Sequence, residues 1–178
     1  MSVVKPYVIF AKHNAEANGS IVSILEKLSN EEREKKRGSY YGSLSGLVRH
    51  ILGCIGFFGS LFTKTLAGNA AASKALAGLS AIPHPPEGAL TEAQWKEVVA
   101  ALDTADKAYI ALAEALKDED LDAPVELNWY GGNPAAVPLA FMLQQLVAHN
   151  IHHRGQISQI LDELKIDNDY SGISVAFV

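Results

Sequence analysis

Apolar residues recur every three or four positions along four long stretches of this sequence, the spacing that gathers side chains onto one face of an α-helix. The first stretch runs from Pro6, a good first-turn residue, to Leu28, with Tyr7, Phe10, Ile21, Ile24, Leu25 and Leu28 on one stripe. The second runs from Ser43 to Leu66 and carries Leu44, Leu47, Ile51, Phe58, Leu61 and Phe62. Its glycines, Gly46, Gly53, Gly56 and Gly59, lower helix propensity but permit close backbone approach. The third opens at Thr91 in "TEAQ", with Gln94 at the capping-box position, and stops by Lys117. The fourth follows Pro138 and reaches about Leu164. A helix with one apolar stripe has to bury it against a neighbour, so these patterns predict an all-α fold, a four-helix bundle.

The segments between the helices are of two kinds. "AGNAAASKALAGLSAIPHPPEGAL", rich in Ala, Gly and Pro, reads as a long crossover between the second and third helices with a short helix inside it. In "DAPVELNWYGGNPAAVPL" the residues Val125, Leu127 and Trp129 alternate and "GGN" supplies a tight turn, which predicts a small hairpin or extended excursion before the fourth helix. A chain of 178 residues that is 48% apolar suits a single domain over residues 1–178 with a real core.

Composition also excludes function classes. A net charge of −5 and the lack of a basic face argue against a nucleic-acid partner. The densest charge run, "NEEREKKRGS", mixes both signs and reads as a solvated helix end and loop. No uninterrupted apolar run of spanning length points to a membrane, and "MSVVKPYVIFAKHN" turns polar too soon for a secretory signal. With Cys54 as the single cysteine, no internal disulfide can form, and a cytoplasmic protein is expected.

The unusual feature is "LVAHNIHHRGQISQIL" in the fourth helix. Counted in sevens, Leu139, Leu146, His153 and Ile160 share one register, and Met142, His149 and Gln156 share another. His149 and His153 therefore read as an inward i, i+4 pair, while His152 falls with Gln145 and Gln159 on a polar flank. Such a pair stands about 5–6 Å apart at Cβ, a spacing for two ligands of one metal. A zinc-type site wants at least three protein ligands. The third is His50, in a row of the second helix formed by Leu47, His50, Cys54, Phe57 and Leu61. His13 lies beside the first helix's stripe and His84 in the loop "IPHPPEG", so neither is chosen.

On spacing alone two readings stand: imidazoles hydrogen-bonded in the core, or three ligands of one divalent cation. Asn150 occupies the position at which zinc proteases of the H-E-x-x-H type carry their base, and an amide cannot take a proton, so that class is excluded. Asn14 and Asn18 read as satisfied core amides, or else as donors behind the metal ligands, and Cys54, one turn from His50, as a small buried filler or a residue that approaches the metal. Arg154 is expected to step off the seam towards a neighbouring helix or subunit, and Gly155 to give room for close approach.

"HNIHHRGQISQIL", with "GSLSGLVRHIL" upstream and "DNDYSG" downstream, resembles the DinB-like metalloenzyme family. "AKHNAEAN" and "LKDEDLDAPVELNWYGGNPAAVPL" extend the likeness over nearly the whole chain. The resemblance implies a four-helix bundle, commonly dimeric, that holds a nickel or zinc ion through three histidines, here His50, His149 and His153. It further implies a thiol-dependent S-transferase or a hydrolase acting on a small molecule, with a low-molecular-weight thiol as partner. The rival is a non-catalytic metal-binding protein of stress or damage responses. After His50 the chain has "LGCIGFF", where family members often carry an acidic residue and then Trp. An open metal position would favour the enzyme, and a site closed by Cys54 its rival. Gly46, Gly53 and Gly56 are expected to leave a cleft beside the metal.

Overall fold

The computed structural model describes residues 2–127 and 135–178. Four long helices form the bundle: α1 (Lys5–Leu25), α3 (Leu44–Thr65), α5 (Glu92–Ala115) and α6 (Leu139–Glu163). Two shorter ones sit in the connections, α2 (Asn30–Glu34) and α4 (Ala70–Ser80), the latter being the short helix expected in the crossover. The helix starts follow their side chains. The Ser43 hydroxyl accepts from the Gly46 amide at 3.0 Å, and Asn69 caps α4 by accepting from Ala72 at 3.1 Å. Thr91 and Gln94 complete the expected capping box. Before α6, β1 (Pro124–Leu127) pairs antiparallel with β2 (Ala135–Pro138), in the register Val125 to Val137 and Leu127 to Ala135. The expected hairpin is present; its "GGN" turn and Trp129 lie outside the described residues.

α1 and α4 pack on α5, and α3 packs on α4, α5 and α6. The core they share contains Ile21, Leu47, Ile51, Phe62, Trp95 and Tyr109, each 2% exposed or less. Truncating an aromatic such as Phe62 to Ala would cost about 3–5 kcal/mol. α3 is long and apolar enough to cross a membrane, yet 61% of its most apolar window is buried within this bundle. It serves as the bundle's core helix.

Two features of the interior differ from the expectations. Arg33, assigned to a solvated run, is 2% exposed. Its guanidinium donates to the carbonyls of Leu25 and Leu28, pairs with Glu92 and lies 5.0 Å over the Trp95 ring. It thereby satisfies carbonyls left bare where α1 ends and the turn after it begins. The second feature is a polar cluster joining α1, α5 and α6. Asn14 donates to Asp106 at 2.9 Å, and Asn18 reaches both oxygens of the same carboxylate at 3.0 Å. Arg154 and Asn150 both donate to the Asn14 amide oxygen, at 2.6 and 3.0 Å. All five side chains are buried. Asn14 and Asn18 are thus the satisfied core amides expected. Arg154 turns inward to this cluster and so reaches the neighbouring helix α1, where the Asn14 and Asn18 amide oxygens accept from its guanidinium and compensate its burial.

α6 buries Leu143, Asn150 and Ile157 along with Leu139, Leu146, His153 and Ile160, while His149 and Gln156 are half-buried. The buried face is therefore centred one row away from His149, which stands at the rim. On α3 the rows through Leu47, Ile51, Ile55 and Phe58 are buried, and His50 and Cys54 are half-buried. The histidines meet at the edge of the bundle where α3 and α6 face each other.

Candidate metal centre

Each of the two helices contributes two donors one turn apart: His50 and Cys54 from α3, His149 and His153 from α6. The donor atoms converge. Nε2 of His149 lies 3.4 Å from Nε2 of His50 and 3.1 Å from Nε2 of His153. One ligand atom from each of the three rings falls within 4.8 Å of the others, a cluster that could hold a metal ion. Cys54 Sγ approaches Nε2 of His50 at 3.4 Å and Nε2 of His149 at 3.9 Å.

The rings are held from outside the cluster. Gln156 Oε1 lies 2.7 Å from Nδ1 of His153. Since that oxygen only accepts, Nδ1 carries the hydrogen and Nε2 presents its lone pair to the centre. Tyr41, in the loop before α3, stacks on His50 with ring centroids 3.7 Å apart and 18° between planes, and meets His153 edge-on at 5.2 Å. Its loop reaches this position because residue 46 lacks a side chain: a Cβ there would stand 2.1 Å from the Tyr41 carbonyl oxygen.

Burial sets the protonation states. Desolvation, with the neighbouring His153 and His149 rings, lowers His50 to about 4. His149 is lowered by burial and by His153 and His152, and His153 chiefly by burial, against its bond to Gln156. Neutral imidazole is the form that binds metal. Burial alone pushes the Cys54 thiol up to about 11.

The donor set fits a cation. Nitrogens about 2.0–2.1 Å from a tetrahedral ion sit roughly 3.3 Å from one another, and the two measured separations, 3.4 and 3.1 Å, bracket that value. Hydrogen bonding within the cluster does not satisfy it fully, because Nε2 of His149 carries at most one hydrogen for its two ring neighbours and Nδ1 of His149 has no partner of its own. The family model of the DinB family matches residues 1–164.

The chain belongs to the DinB family. Its fold is that of a solved DinB-like protein, YjoA of Bacillus subtilis, with a TM-score of 0.57 over 89% of this chain and 94% of the other, at 21% identity. No curated protein matches the chain.

Within this DinB bundle the other three histidines lie apart from the cluster's donor atoms. His152 is exposed on the outer side of α6. His84 lines a cleft between α3 and the α4–α5 connection. His13, expected beside the first helix's stripe, is buried, 6% exposed, and burial lowers its pKa. It faces the C-terminal segment near Gly172.

The expected glycine cleft does not include the clustered histidines. Gly46 is filled by the Tyr41 backbone, and Gly53 and Gly56 line the cleft that contains His84, with Leu52, Phe57 and Ile82. Gly155 is exposed and a Cβ there would meet nothing within 4 Å, so close helix approach does not require it. Sequence reasoning missed Tyr41. The clue was faint: a loop aromatic shortly before the glycine that opens the second helix.

Proposed function

We propose that the chain binds one divalent cation, nickel or zinc, through Nε2 of His50, His149 and His153, and uses it in a thiol-dependent S-transfer or in hydrolysis. The observation that carries this reading is the convergence of three neutral imidazoles, two of them half-buried, at a rim a small molecule can approach. A cation bound there supplies positive charge that lowers the pKa of a coordinated thiol or water. Gln156 holds the His153 ring in its ligating tautomer, and Tyr41 covers the face of His50. Asn150 points away from the cluster to Asn14, so it offers no base there, in keeping with a nucleophile activated by metal charge alone. A cytoplasmic setting and a homodimer belong to the same proposal.

The test is metal analysis of the purified chain followed by a screen of small thiols against electrophiles, with ester and amide hydrolysis in parallel. The reading expects stoichiometric metal and turnover that falls to background in His153→Ala. Metal without turnover in any arm would support the second reading, a non-catalytic metal-binding protein. That reading draws on the closeness of Cys54 to the donors.

A further inference from the structure

We propose that the cleft between α3 and the α4–α5 connection is a second binding site, built for one small, uncharged, predominantly apolar molecule. The site stands apart from the histidine centre and does not depend on it. The cleft holds about 420 Å³, within the range of small-molecule pockets. Gly53 and Gly56 of α3 form its floor with Leu52 and Phe57 beside them, and Leu79, Ile82 and Pro83 face them from the end of α4 and the connection after it. That connection is held in place: the Arg49 guanidinium donates to the carbonyls of Pro86 and Gly88, both at 2.7 Å.

The three glycines on this side of α3 are not alike. Packing requires Gly59, because a Cβ there would stand 2.8 Å from Leu79 Cδ1, so α4 closes on α3 at that point. About one and two turns earlier the cleft opens, and a Cβ on Gly56 or Gly53 would meet nothing within 4 Å. Both of these glycines weaken α3 relative to alanine, and no neighbouring side chain takes up the space they leave. Bare backbone under open space is what lets a ligand approach closely.

The lining sets the ligand's chemistry. No Asp, Glu, Lys or Arg lines the cleft, so a charge placed there would go unpaired. The Ser60 and Ser80 hydroxyls direct their hydrogens into their own helices, to the carbonyls of Phe57 at 2.7 Å and Leu76 at 3.1 Å. His84 is then the lining side chain that can donate to a ligand. The occupant is therefore an apolar body with at most one neutral polar group. The competing account is a packing gap beneath the crossover helix that takes up water alone.

The uncharged fluorophore N-phenyl-1-naphthylamine, titrated into the purified full-length chain, separates the two accounts. The wild type is expected to bind it saturably and one-to-one, with enhanced emission. 1-Octanol should displace it at a concentration about tenfold or more below that needed with octanoate. Gly53→Leu and Gly56→Leu should each weaken binding about tenfold or more. Their thermal denaturation midpoints should hold or rise, because leucine is the better helix former and its Cβ finds open space. Gly19→Leu, at an exposed and equally open position of α1, should bind as the wild type does. If the leucine variants lose their helical circular-dichroism signal, Ile82→Ser on the opposite wall replaces them and should weaken binding likewise. No saturable binding by the wild type, binding unchanged in the cleft variants, or binding lost equally in Gly19→Leu would overturn the proposal. Octanoate displacing the probe as well as octanol does would overturn the ligand class and the proposal with it.

Discussion

Along α6, neighbouring residues serve two polar clusters of opposite character. His149 and His153 turn to the rim between α3 and α6, while Asn150 and Arg154 turn inward to Asn14, Asn18 and Asp106. In the inner cluster donors meet acceptors: two amides and a guanidinium hold one another and a carboxylate, as a buried network must. In the rim cluster three imidazole nitrogens converge, with the Cys54 sulfur beside two of them. The first arrangement ties three helices together and leaves only the Asn150 amide oxygen among its described buried side-chain atoms without a partner. The second could hold a cation among its atoms, and this contrast singles it out as the candidate site.

The sharpest way to break the comparison is to remove Arg154. If the inner cluster is structural, Arg154→Ala strips a charged donor from the buried Asn14 and Asn18 amide oxygens. Stability should then fall by about 3 kcal/mol in urea denaturation, with metal content unchanged. Equal stability with lost metal would show that the two clusters are one.

A second prediction uses pH. Burial raises Asp106 from 3.8 to about 7, against the opposing bonds from Asn18 and Asn14 and the charge of Arg154, with Asp103 adding to the rise. The folded chain therefore holds this proton where the unfolded chain has released it. Its contribution to stability is full below about pH 4 and is lost as pH rises towards 7. Asp106→Asn should flatten that part of the curve, whereas His149→Ala should leave it in place. A curve rising over the same window in the wild type and unaltered by Asp106→Asn would contradict the assignment.

The smallest effect is expected at Gln156. Gln156→Ala releases the His153 ring without removing a ligand, so cation affinity should drop by roughly tenfold in competition with a chelator. Denaturation midpoints of the metal-free protein should move little. An unchanged affinity would remove Gln156 from the site.

The helices, the crossover helix and the hairpin were legible because each depends on local pattern and capping, as Thr91 and Gln94 illustrate. His50, His149 and His153 were legible because imidazoles interrupting apolar rows stand out. The facing of α6 was not, since the stretch from His149 to Gln156 holds too few apolar residues for periodicity to choose between the row of His149 and that of Asn150. Asp106 was invisible for another reason. In "LDTADKAY" it looks like a surface charge, and its partner Asn14 lies 92 residues away. Arg33 was hidden likewise, its burial depending on carbonyls exposed where α1 stops and on Trp95 far along the chain. Pairings of that range are made by packing, which no local pattern encodes.

The account turns most directly on the metal content of four purified proteins measured side by side: the wild type, His50→Ala, His149→Ala and His152→Ala. The account predicts one divalent cation per chain in the wild type and in His152→Ala, and none above background in the other two. A wild type without metal after loading with nickel or zinc, or a loss confined to His152→Ala, would contradict it.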